Sequence, residues 1–459
     1  MVNPLLAPEL RELIADKNYG ELCEFCESTH PAQTAEFLSA LNPQEIWEIL
    51  SHLSSSLRGE IFSHLDQDVQ LEMLQTLGRD VKGKLLSDMP PDDRVDLLKR
   101  LPRPKREAII PALAQAERED IRRLIAYPEG TAGSVMTSEY AVLTPELTVD
   151  KAISKLRREA PDKETIYYSY VVDENQQLIG FVSLKDLILA PPGAKVDDIM
   201  HRDIIYARAS DDQEEAARMI QKYDLLAIPV VDEKDRVVGI ITHDDAIDIV
   251  TQEQQEDVEK LMAIGGAHEV GAYMKLSTWD HFKSRIPWIL GLALLGFVSG
   301  YIVQTYESIL IQVAILASFM PMLADTGGNA GSQSATLVIR ALALKEISTR
   351  DGLKILIKEF KISFLMASVL ALVAYFRVLL FIGHSSTAGT ISPLRVGIAV
   401  GIALAVQVIS STLIGAFLPL IASSFRLDPA VVASPMLTTV VDITGLFIFF
   451  SIAKIILGI

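Results

Sequence analysis

One carboxylate stands inside the most apolar part of the chain. Residues 431–456 form a stretch of about 26 residues whose only acidic member is Asp442, accompanied by Thr438, Thr439 and Thr444. A charge at the centre of a membrane helix costs roughly 3 kcal/mol or more, so such residues usually belong to ion pathways or proton relays. The stretch therefore predicts a membrane helix that contacts a cation, and its structural alternative is a protonated Asp442 satisfied by the neighbouring threonine hydroxyls.

A second polar segment interrupts another apolar stretch. Residues 321–333 read PMLADTGGNAGSQ and combine Asp325, Asn329 and Gln333 with three glycines. Irregular backbone is tolerated at membrane depth only where it is buried or lines a wet cavity. We interpret the segment as a break in a helix whose carbonyls line a pore. The alternative is close helix packing by small residues.

The acidic residues are concentrated in the first part of the chain. Of the 59 Asp and Glu residues, 52 lie before residue 285, together with 31 of the 42 Lys and Arg residues, so this part has a charge balance of −21 and accounts for the net charge of −17 of the whole chain. Such a field makes nucleic acid an unlikely partner and favours cations. Acids also recur at helical spacing, and like charges four residues apart repel one another without a counter-ion. Divalent cations would relieve that repulsion.

Residues 30–127 predict short helices in series. Seven segments recur about every 12 residues, each with Leu or Ile at helical spacing: 35–41, 45–53, 58–65, 69–77, 81–89, 94–101 and 106–113. Short amphipathic helices cannot bury their apolar faces alone, so an all-α solenoid is the expected solution.

Residues 136–250 contain an internal repeat. The segment 170–186 is echoed 59 positions later in 229–245, with strand, turn, strand and then a helix that starts on an Asp. This α/β pattern resembles a tandem pair of CBS domains.

The last part of the chain predicts a membrane domain. Residues 246–284 read as a charged amphipathic helix, a break at Gly265-Gly266 and a second connector. Five apolar spans of about membrane-crossing length follow, at 286–303, 309–324, 362–383, 396–421 and 431–456. The basic linker after the second span places the N-terminal half in the cytoplasm and the C-terminus outside. Lys454 and Arg395 lie on the wrong side in that arrangement.

Two remaining features carry little functional signal. Cys23 and Cys26 have metal-ligand spacing, but no second pair completes a zinc site, so we expect two reduced, partly buried thiols. The first 30 residues lack an apolar signal core.

Taken together, the segment 321–333, the Asp442 helix, the five spans, the CBS pair and the helical N-domain resemble the MgtE family of magnesium channels. The resemblance implies a multi-domain membrane protein, not an enzyme, in the cell (inner) membrane. Its parts are a solenoid N-domain (1–130), CBS domain 1 (131–199), CBS domain 2 (200–257), a connecting plug helix (246–284) and a five-helix pore domain (285–459). It also implies a homodimer in the lipid bilayer, with Asp442 meeting hydrated Mg²⁺ in the pore and regulatory Mg²⁺ on the cytoplasmic acids.

Matching to the family residue by residue gives the candidate sensor sites. They are Asp92, Asp96, Asp212, Glu214, Asp224, Asp245, Asp248, Glu253, Glu256 and Asp257, with Glu60 and Asp428 as weaker members. Some CBS pairs of the family hold ATP as a modulator, and Tyr168 and Asp186 are the candidate contacts here. Leu225 stands where an aromatic residue would stack better on the base.

The expected function is therefore Mg²⁺ uptake through a channel that intracellular Mg²⁺ closes. Transport of Co²⁺, Mn²⁺ or Ni²⁺ is one alternative, and a membrane receptor that senses Mg²⁺ without conducting is another. A third alternative is an intramembrane aspartyl protease, because Asp325-Thr326-Gly327 matches the aspartic-protease triplet and residues 442–445 nearly repeat it.

Overall fold

The structure is a computed structural model that describes residues 4–265, 273, 276–382, 392–425, 427–429 and 434–459. It contains two compact units, Met1–Thr251 and Gln252–Ile459, which are considered separately below. The expected break at Gly265-Gly266, much of the second connector and the loop before residue 392 lie wholly or partly outside the described residues.

The first unit begins with ten short helices. They are α1 (Ala7–Ala15), α2 (Tyr19–Ser28), α3 (Pro31–Leu38), α4 (Pro43–Leu50), α5 (Ser55–His64), α6 (Gln67–Thr76), α7 (Arg79–Asp88), α8 (Pro91–Arg100), α9 (Arg103–Ile109) and α10 (Gln115–Ile125). From α3 to α10 the main contacts join helices two positions apart in the chain, so alternate helices stack in two layers. The predicted solenoid is confirmed.

The helices begin a few residues earlier than the apolar periodicity indicates. The segment predicted to start at Glu45 begins at Pro43, because Asn42 accepts hydrogen bonds from the amides of Gln44 and Glu45. The Glu45 side chain in turn accepts from the Asn42 amide and closes a capping box. Such capped first turns are polar, so the apolar pattern alone misses them.

The repeat forms two small sheets with the same register. The elements are β1 (Tyr140–Leu143), α11 (Val149–Glu159), β2 (Thr165–Val172), β3 (Leu178–Ser183), α12 (Leu184–Leu189), α13 (Val196–Ile199), β4 (Ala207–Arg208), α14 (Gln213–Tyr223), β5 (Ala227–Val231), β6 (Val237–Thr242) and α15 (His243–Leu261). Tyr168 pairs with Ser183 in the first sheet. The residues 59 positions later, Ala227 and Thr242, pair with each other in the second sheet. The strand orders β1-β2-β3 and β4-β5-β6 confirm the predicted repeat.

Each sheet also receives a segment from the other repeat. Thr137, which precedes the first sheet, exchanges two backbone hydrogen bonds with Ile240 in β6. His201, which precedes the second sheet, exchanges two with Phe181 in β3. The two sheets are therefore joined through these reciprocal pairs.

The second unit is helical. Its helices are α16 (Thr278–Thr305), α17 (Glu307–Gln312), α18 (Met320–Ala343), α19 (Gly352–Ile382), α20 (Pro393–Ser424) and α21 (Ser434–Leu457). Among the described residues, four helical segments are long and apolar enough to cross a membrane: 278–305, 349–380, 393–424 and 435–457. The fifth long helix, α18, carries several polar residues and falls outside that group.

The second expected span, 309–324, is wrong in its bounds. The chain there forms the short helix α17 and a 3₁₀ segment, Ala314–Phe319, and Leu316 and Phe319 are buried in the apolar core of the unit. The predicted break at 321–333 is also wrong, because α18 runs through it without interruption. A glycine in a helix costs only about 1 kcal/mol relative to alanine, which packing against neighbouring helices offsets.

The small residues of α18 allow close contact with α20. A Cβ atom added to Gly415 would lie 2.2 Å from the Gly331 carbonyl oxygen, and one added to Gly331 would lie 3.0 Å from the Ser411 carbonyl oxygen. The helices touch backbone to backbone at this point. Close packing by small residues, the alternative interpretation of segment 321–333, is thus what the structure shows.

We expect Gly415→Ala to lower the thermal unfolding temperature of the full-length protein in detergent. The added methyl group meets a carbonyl oxygen that cannot rotate away, and overpacking of this kind costs roughly 1–3 kcal/mol or more. Gly296→Ala on α16 is the matched control, since its Cβ would meet nothing within 4 Å. Equal unfolding temperatures for the two variants would contradict the tight α18–α20 contact.

Candidate cation sites

Asp442 lies near the middle of α21 and is partly buried. It shares a helix face with Thr438, and the methyl group of Thr438 lies 2.9 Å from where a Cβ on Gly328 of α18 would stand. Within the described part of the chain, the Asp442 Oδ1 atom is buried and has no hydrogen-bond partner. Two of the neighbouring threonines do not satisfy Asp442, because the Thr439 and Thr444 hydroxyls donate to backbone carbonyls instead.

Gln407 on α20 supports the same turn of α21. Its Nε2 atom donates to the Val441 carbonyl at 3.2 Å, and its side chain is buried. Gly327 and Gly445 make room for it, since a Cβ at either position would lie within 2.4 Å of the Gln407 amide. Its Oε1 atom finds no partner among the described residues. Gln407 was not among the predicted site residues. A single Gln within an apolar span is a signal that could have identified it.

Glu359 on α19 is a second buried acid of this unit. It is 8% exposed, and Ser334 on α18 donates to its Oε2 atom at 2.8 Å. The sequence places it among lysines near the start of α19, which made it resemble an ordinary surface acid.

The first unit brings five acids together around the starts of two helices. Asp92 and Asp93 occupy the first turn of α8, and Asp244 and Asp245 occupy the first turn of α15. Glu164, immediately before β2, completes the group, which we call the acid cluster. Sequence reasoning named Asp92 and Asp245 but missed Glu164, which has no helical spacing to the others.

Burial and mutual repulsion raise the pKa values in the acid cluster. Burial, followed by the charges of Asp245, Asp93 and Glu164, raises the pKa of Asp92 well above its usual range. Burial and Asp244 raise the pKa of Asp245 to about 6, against the hydrogen bond from Thr242. Burial and Asp245 raise the pKa of Glu164 to about 7. The Asp92 Oδ1 atom is buried without a partner in the described residues, so a cation here would meet an unsatisfied oxygen.

Three further predicted acids lie on the same or nearby helices. Asp96 follows one turn after Asp92, and Lys99 Nζ lies 3.5 Å from its exposed carboxylate. Asp248 follows one turn after Asp244, and burial, with the charge of Asp244, raises its pKa. Glu60 lies on α5, where the Ser56 hydroxyl donates to it at 3.5 Å.

The predicted acids of α14 have structural roles in this chain. Asp212 is the N-cap and accepts from the Glu214 amide at 2.8 Å, while the Glu214 carboxylate pairs with Arg218. Asp224 ends the helix in the left-handed conformation with φ 51°. The helix separates Asp212 from Asp224 by about 18 Å at 1.5 Å per residue, so the two cannot share one ion.

Asp428 and Glu256 already hold a cation from the protein itself. Lys260 Nζ lies 2.9 Å from Glu256 Oε1 and 2.9 Å from Asp428 Oδ2. The pKa of Lys260 is raised overall, because the effect of the two carboxylates is larger than the opposing effect of burial. The other acids predicted here, Glu253 and Asp257, lie on the same helix, α15.

The candidate nucleotide contacts meet at one end of the first sheet. Tyr168 lines a cavity of about 90 Å³ together with Phe181, Asp203 and Leu225. Asp186 occupies the third position of α12, where it accepts from Ser183, the strand partner of Tyr168, and its pKa is lowered. The helix that was predicted to start on this Asp thus begins two residues earlier.

Among the described residues, no three His, Cys, Asp or Glu side chains converge closely enough to hold a metal ion by themselves. The acid cluster would therefore need water molecules to complete a coordination shell, as Mg²⁺ commonly does. Cys23 and Cys26 are free, and burial raises the pKa of Cys26 to about 12, which leaves an inert thiol.

Comparison with known proteins defines the class. A family described as "Divalent cation transporter" matches residues 320–452, the region of Asp442 and the close helix packing. The MgtE intracellular N domain matches residues 29–130, and the CBS domain matches 132–193 and 196–251. The class is that of membrane transporters for divalent cations with helical and CBS-type domains attached.

The chain belongs to the MgtE family. It is 40% identical to the magnesium transporter MgtE of Thermus thermophilus, with 74% of this chain and 72% of that protein covered. It is 37% identical to the Bacillus subtilis protein of the same name, with 72% and 71% covered.

Solved structures resemble the N-terminal part. The soluble part of a magnesium transporter is 31% identical, with a TM-score of 0.51 over 54% of this chain and 97% of that one. The cytosolic domain of the Mg²⁺ channel MgtE in complex with ATP is 37% identical, with a TM-score of 0.49 over 53% of this chain and all of that one.

Proposed function

We propose that the chain forms a channel that admits Mg²⁺ to the cell and that intracellular Mg²⁺ closes. The observation that carries the proposal is Asp442, whose Oδ1 atom is buried in an apolar helix and has no hydrogen-bond partner among the residues that the structure describes. An unsatisfied buried acceptor costs about 1–3 kcal/mol, and more when charged, so a chain that keeps one in a membrane helix has a ligand for it. The relatives named as magnesium transporters support Mg²⁺ as that ligand.

The chemistry of the membrane region suits a hard, hydrated ion. Residues 285–459 contain no Cys and a single His, His384, so thiolate ligands are absent and imidazole ligands nearly absent from this part of the sequence. Mg²⁺ keeps several waters and binds one or two carboxylates. In a homodimer, two Asp442 side chains across the two-fold axis would supply that pair.

Entry of Mg²⁺ needs no coupled energy source. A divalent cation that moves inward down a potential of 100 mV gains roughly 4.6 kcal/mol, twice the single-charge value. Such a pathway must be closed when Mg²⁺ is plentiful. We assign that role to the acid cluster, because it brings five carboxylates together that repel one another until a cation or protons neutralise them.

The gate works through this repulsion. At high intracellular Mg²⁺, bound ions hold α8 and the start of α15 together, and the later part of α15 holds the pore shut. At low Mg²⁺ the ionised acids separate the elements and release it. The proposal requires the first unit to be in the cytoplasm, and five membrane crossings would then leave the C-terminus outside.

Flux measurements test the proposal. Full-length protein in liposomes at low internal Mg²⁺ is expected to conduct Mg²⁺, reported by an internal Mg²⁺-sensitive dye. Flux should fall as Mg²⁺ rises on the side that carries the first unit. Absence of flux under all Mg²⁺ concentrations would favour the non-conducting receptor, and equal flux of Co²⁺ or Mn²⁺ would favour the broader transporter.

We also propose that ATP binds beside Tyr168 as a modulator. Because base stacking on an aromatic ring contributes about 1–3 kcal/mol, Tyr168→Ala should weaken ATP binding about tenfold or more, measured by calorimetry on the full-length protein. Tyr167→Ala is the matched control, since Tyr167 is 61% exposed and adjacent strand residues point to opposite faces. Equal affinities for both variants would place the nucleotide elsewhere or nowhere.

A further inference from the structure

An apolar groove runs between α19 and α20, on a side of the second unit that the conduction proposal does not use. It has a volume of about 600 Å³. Its lining residues are Leu356, Ile357, Phe360 and Lys361 on α19 and Leu413, Ile414 and Phe417 on α20. Ile357, Phe360 and Phe417 are each nearly half exposed. Among the described residues that line the groove, Lys361 is the only charged one.

The groove lies where the charged start of α19 gives way to an apolar run. Lys354, Lys358, Glu359 and Lys361 all fall within the first ten residues of the helix, and residues 362–376 carry no charge. Charged side chains at such a boundary reach toward the lipid headgroups. Lys361 therefore stands at headgroup level, with the apolar groove beside it.

Two of the three lysines at this boundary have no acidic partner among the described residues. Lys358 and Lys361 are exposed, and neither has a carboxylate within ion-pair distance in the described part of the chain, while Lys354 pairs with Asp351 at 3.2 Å. The nearest acid in sequence, Glu359, is buried and accepts from Ser334 instead. Because Lys354, Lys358 and Lys361 share one helix face, they repel one another until an anion joins them.

We propose that this groove binds an anionic phospholipid, with one acyl chain against Ile357, Phe360 and Phe417 and the headgroup phosphate on Lys361 and Lys358. Basic pockets between membrane helices are suited to such headgroups. Charge also argues against a second copy of the chain as the occupant. A two-fold interface brings each patch against itself, and would place the lysine stripes of both copies together.

Native mass spectrometry of the delipidated full-length protein tests the site. Phosphatidylglycerol and phosphatidylcholine with identical acyl chains are titrated separately, and retained lipids are counted. One lysine near an anionic surface contributes about 1 kcal/mol, so Lys361→Gln should reduce the preference for phosphatidylglycerol about fivefold. Lys454→Gln, which removes one exposed charge from α21, should leave the preference unchanged.

A second variant separates chain binding from headgroup binding. Ile357→Trp fills the groove and should abolish retention of both lipids, and glycerol phosphate without acyl chains should not be retained by any variant. An unchanged lipid preference in Lys361→Gln would overturn the proposal. So would a loss of dimer mass in Ile357→Trp with lipid retention intact, which would assign the groove to a second copy.

Discussion

Asp442→Asn is expected to reduce Mg²⁺ flux into liposomes by at least about twentyfold. At about 5 Å, through one water and in a medium as polar as bulk water, a divalent cation and one carboxylate attract each other by roughly 1.7 kcal/mol. That is a lower bound, because Asp442 is partly buried and the attraction grows as the surroundings become less polar. The asparagine keeps the size and shape of the side chain and removes only its charge. Initial flux from a Mg²⁺-sensitive dye gives the ratio.

The control for this variant is Asp351→Asn, which removes one partly exposed charge immediately before α19 and should retain most of the flux. Both proteins are first compared by thermal unfolding, so that a folding defect is not read as loss of conduction. Flux through Asp442→Asn equal to that of the unchanged protein would remove Asp442 from the ion pathway.

The double variant Asp92→Asn/Asp245→Asn is expected to lose most of the stabilisation that Mg²⁺ gives the full-length protein. A ligand at one hundred times its dissociation constant stabilises by about 2.7 kcal/mol, which corresponds to roughly 5–10 °C in a unit of this size. The double variant removes two of the five carboxylates of the acid cluster and therefore weakens its attraction for Mg²⁺. Unfolding temperatures with and without Mg²⁺ at pH 7.5 measure the loss.

The same cluster predicts how stability depends on pH without Mg²⁺. The pKa of Asp245 is raised to about 6 and that of Glu164 to about 7, above the values near 4 of an unfolded chain. The folded protein therefore binds more protons than the unfolded one between about pH 4 and pH 7. Stability should be highest below this window and fall as pH rises through it, and the stabilising effect of Mg²⁺ should grow in parallel.

The control removes two exposed first-turn acids from the same unit, in Asp80→Asn/Asp150→Asn. It should keep the response to Mg²⁺ and the dependence on pH. A response to Mg²⁺ that persists in Asp92→Asn/Asp245→Asn would place the regulatory ion outside the acid cluster.

Local rules in the sequence predict the architecture of the first unit. The 59-residue repeat predicts two sheets, and equivalent residues of the two repeats form equivalent strand pairs. The solenoid follows from helices too short to bury their own apolar faces. The starts of these helices were missed where polar caps such as Asn42 precede the apolar positions.

The helix contacts of the second unit could not be predicted from the sequence, for a physical reason. In segment 321–333, glycines next to polar residues are compatible both with a broken helix and with a continuous helix that packs closely. The contacts with Gln407 and Gly415 determine which of the two forms, and these residues lie more than 70 positions away in the chain. The pairing of Ser334 with Glu359 was equally hidden, since burial of Glu359 depends on which side of α19 meets α18.

Sequence identified the acids but not what they contact. Asp186 and Asp245 lie 59 residues apart at equivalent helix starts, yet Asp186 has His201 within 3.1 Å while Asp245 faces other acids. Against the effect of burial, hydrogen bonds from Ser183, followed by that from His201, lower the pKa of Asp186. Burial and then the charge of Asp244 raise the pKa of Asp245. Equivalent positions in a repeat therefore carry different chemistry.

The reciprocal pairs Thr137–Ile240 and Phe181–His201 make the two repeats depend on each other during folding. A cut in the chain near residue 199 would deprive each sheet of the segment that borders β3 or β6. Separate expression of the two halves would then yield unstable fragments, and mixing them could restore the fold. The duplicated sequence thus encodes two copies of a pattern but a single cooperative folding unit.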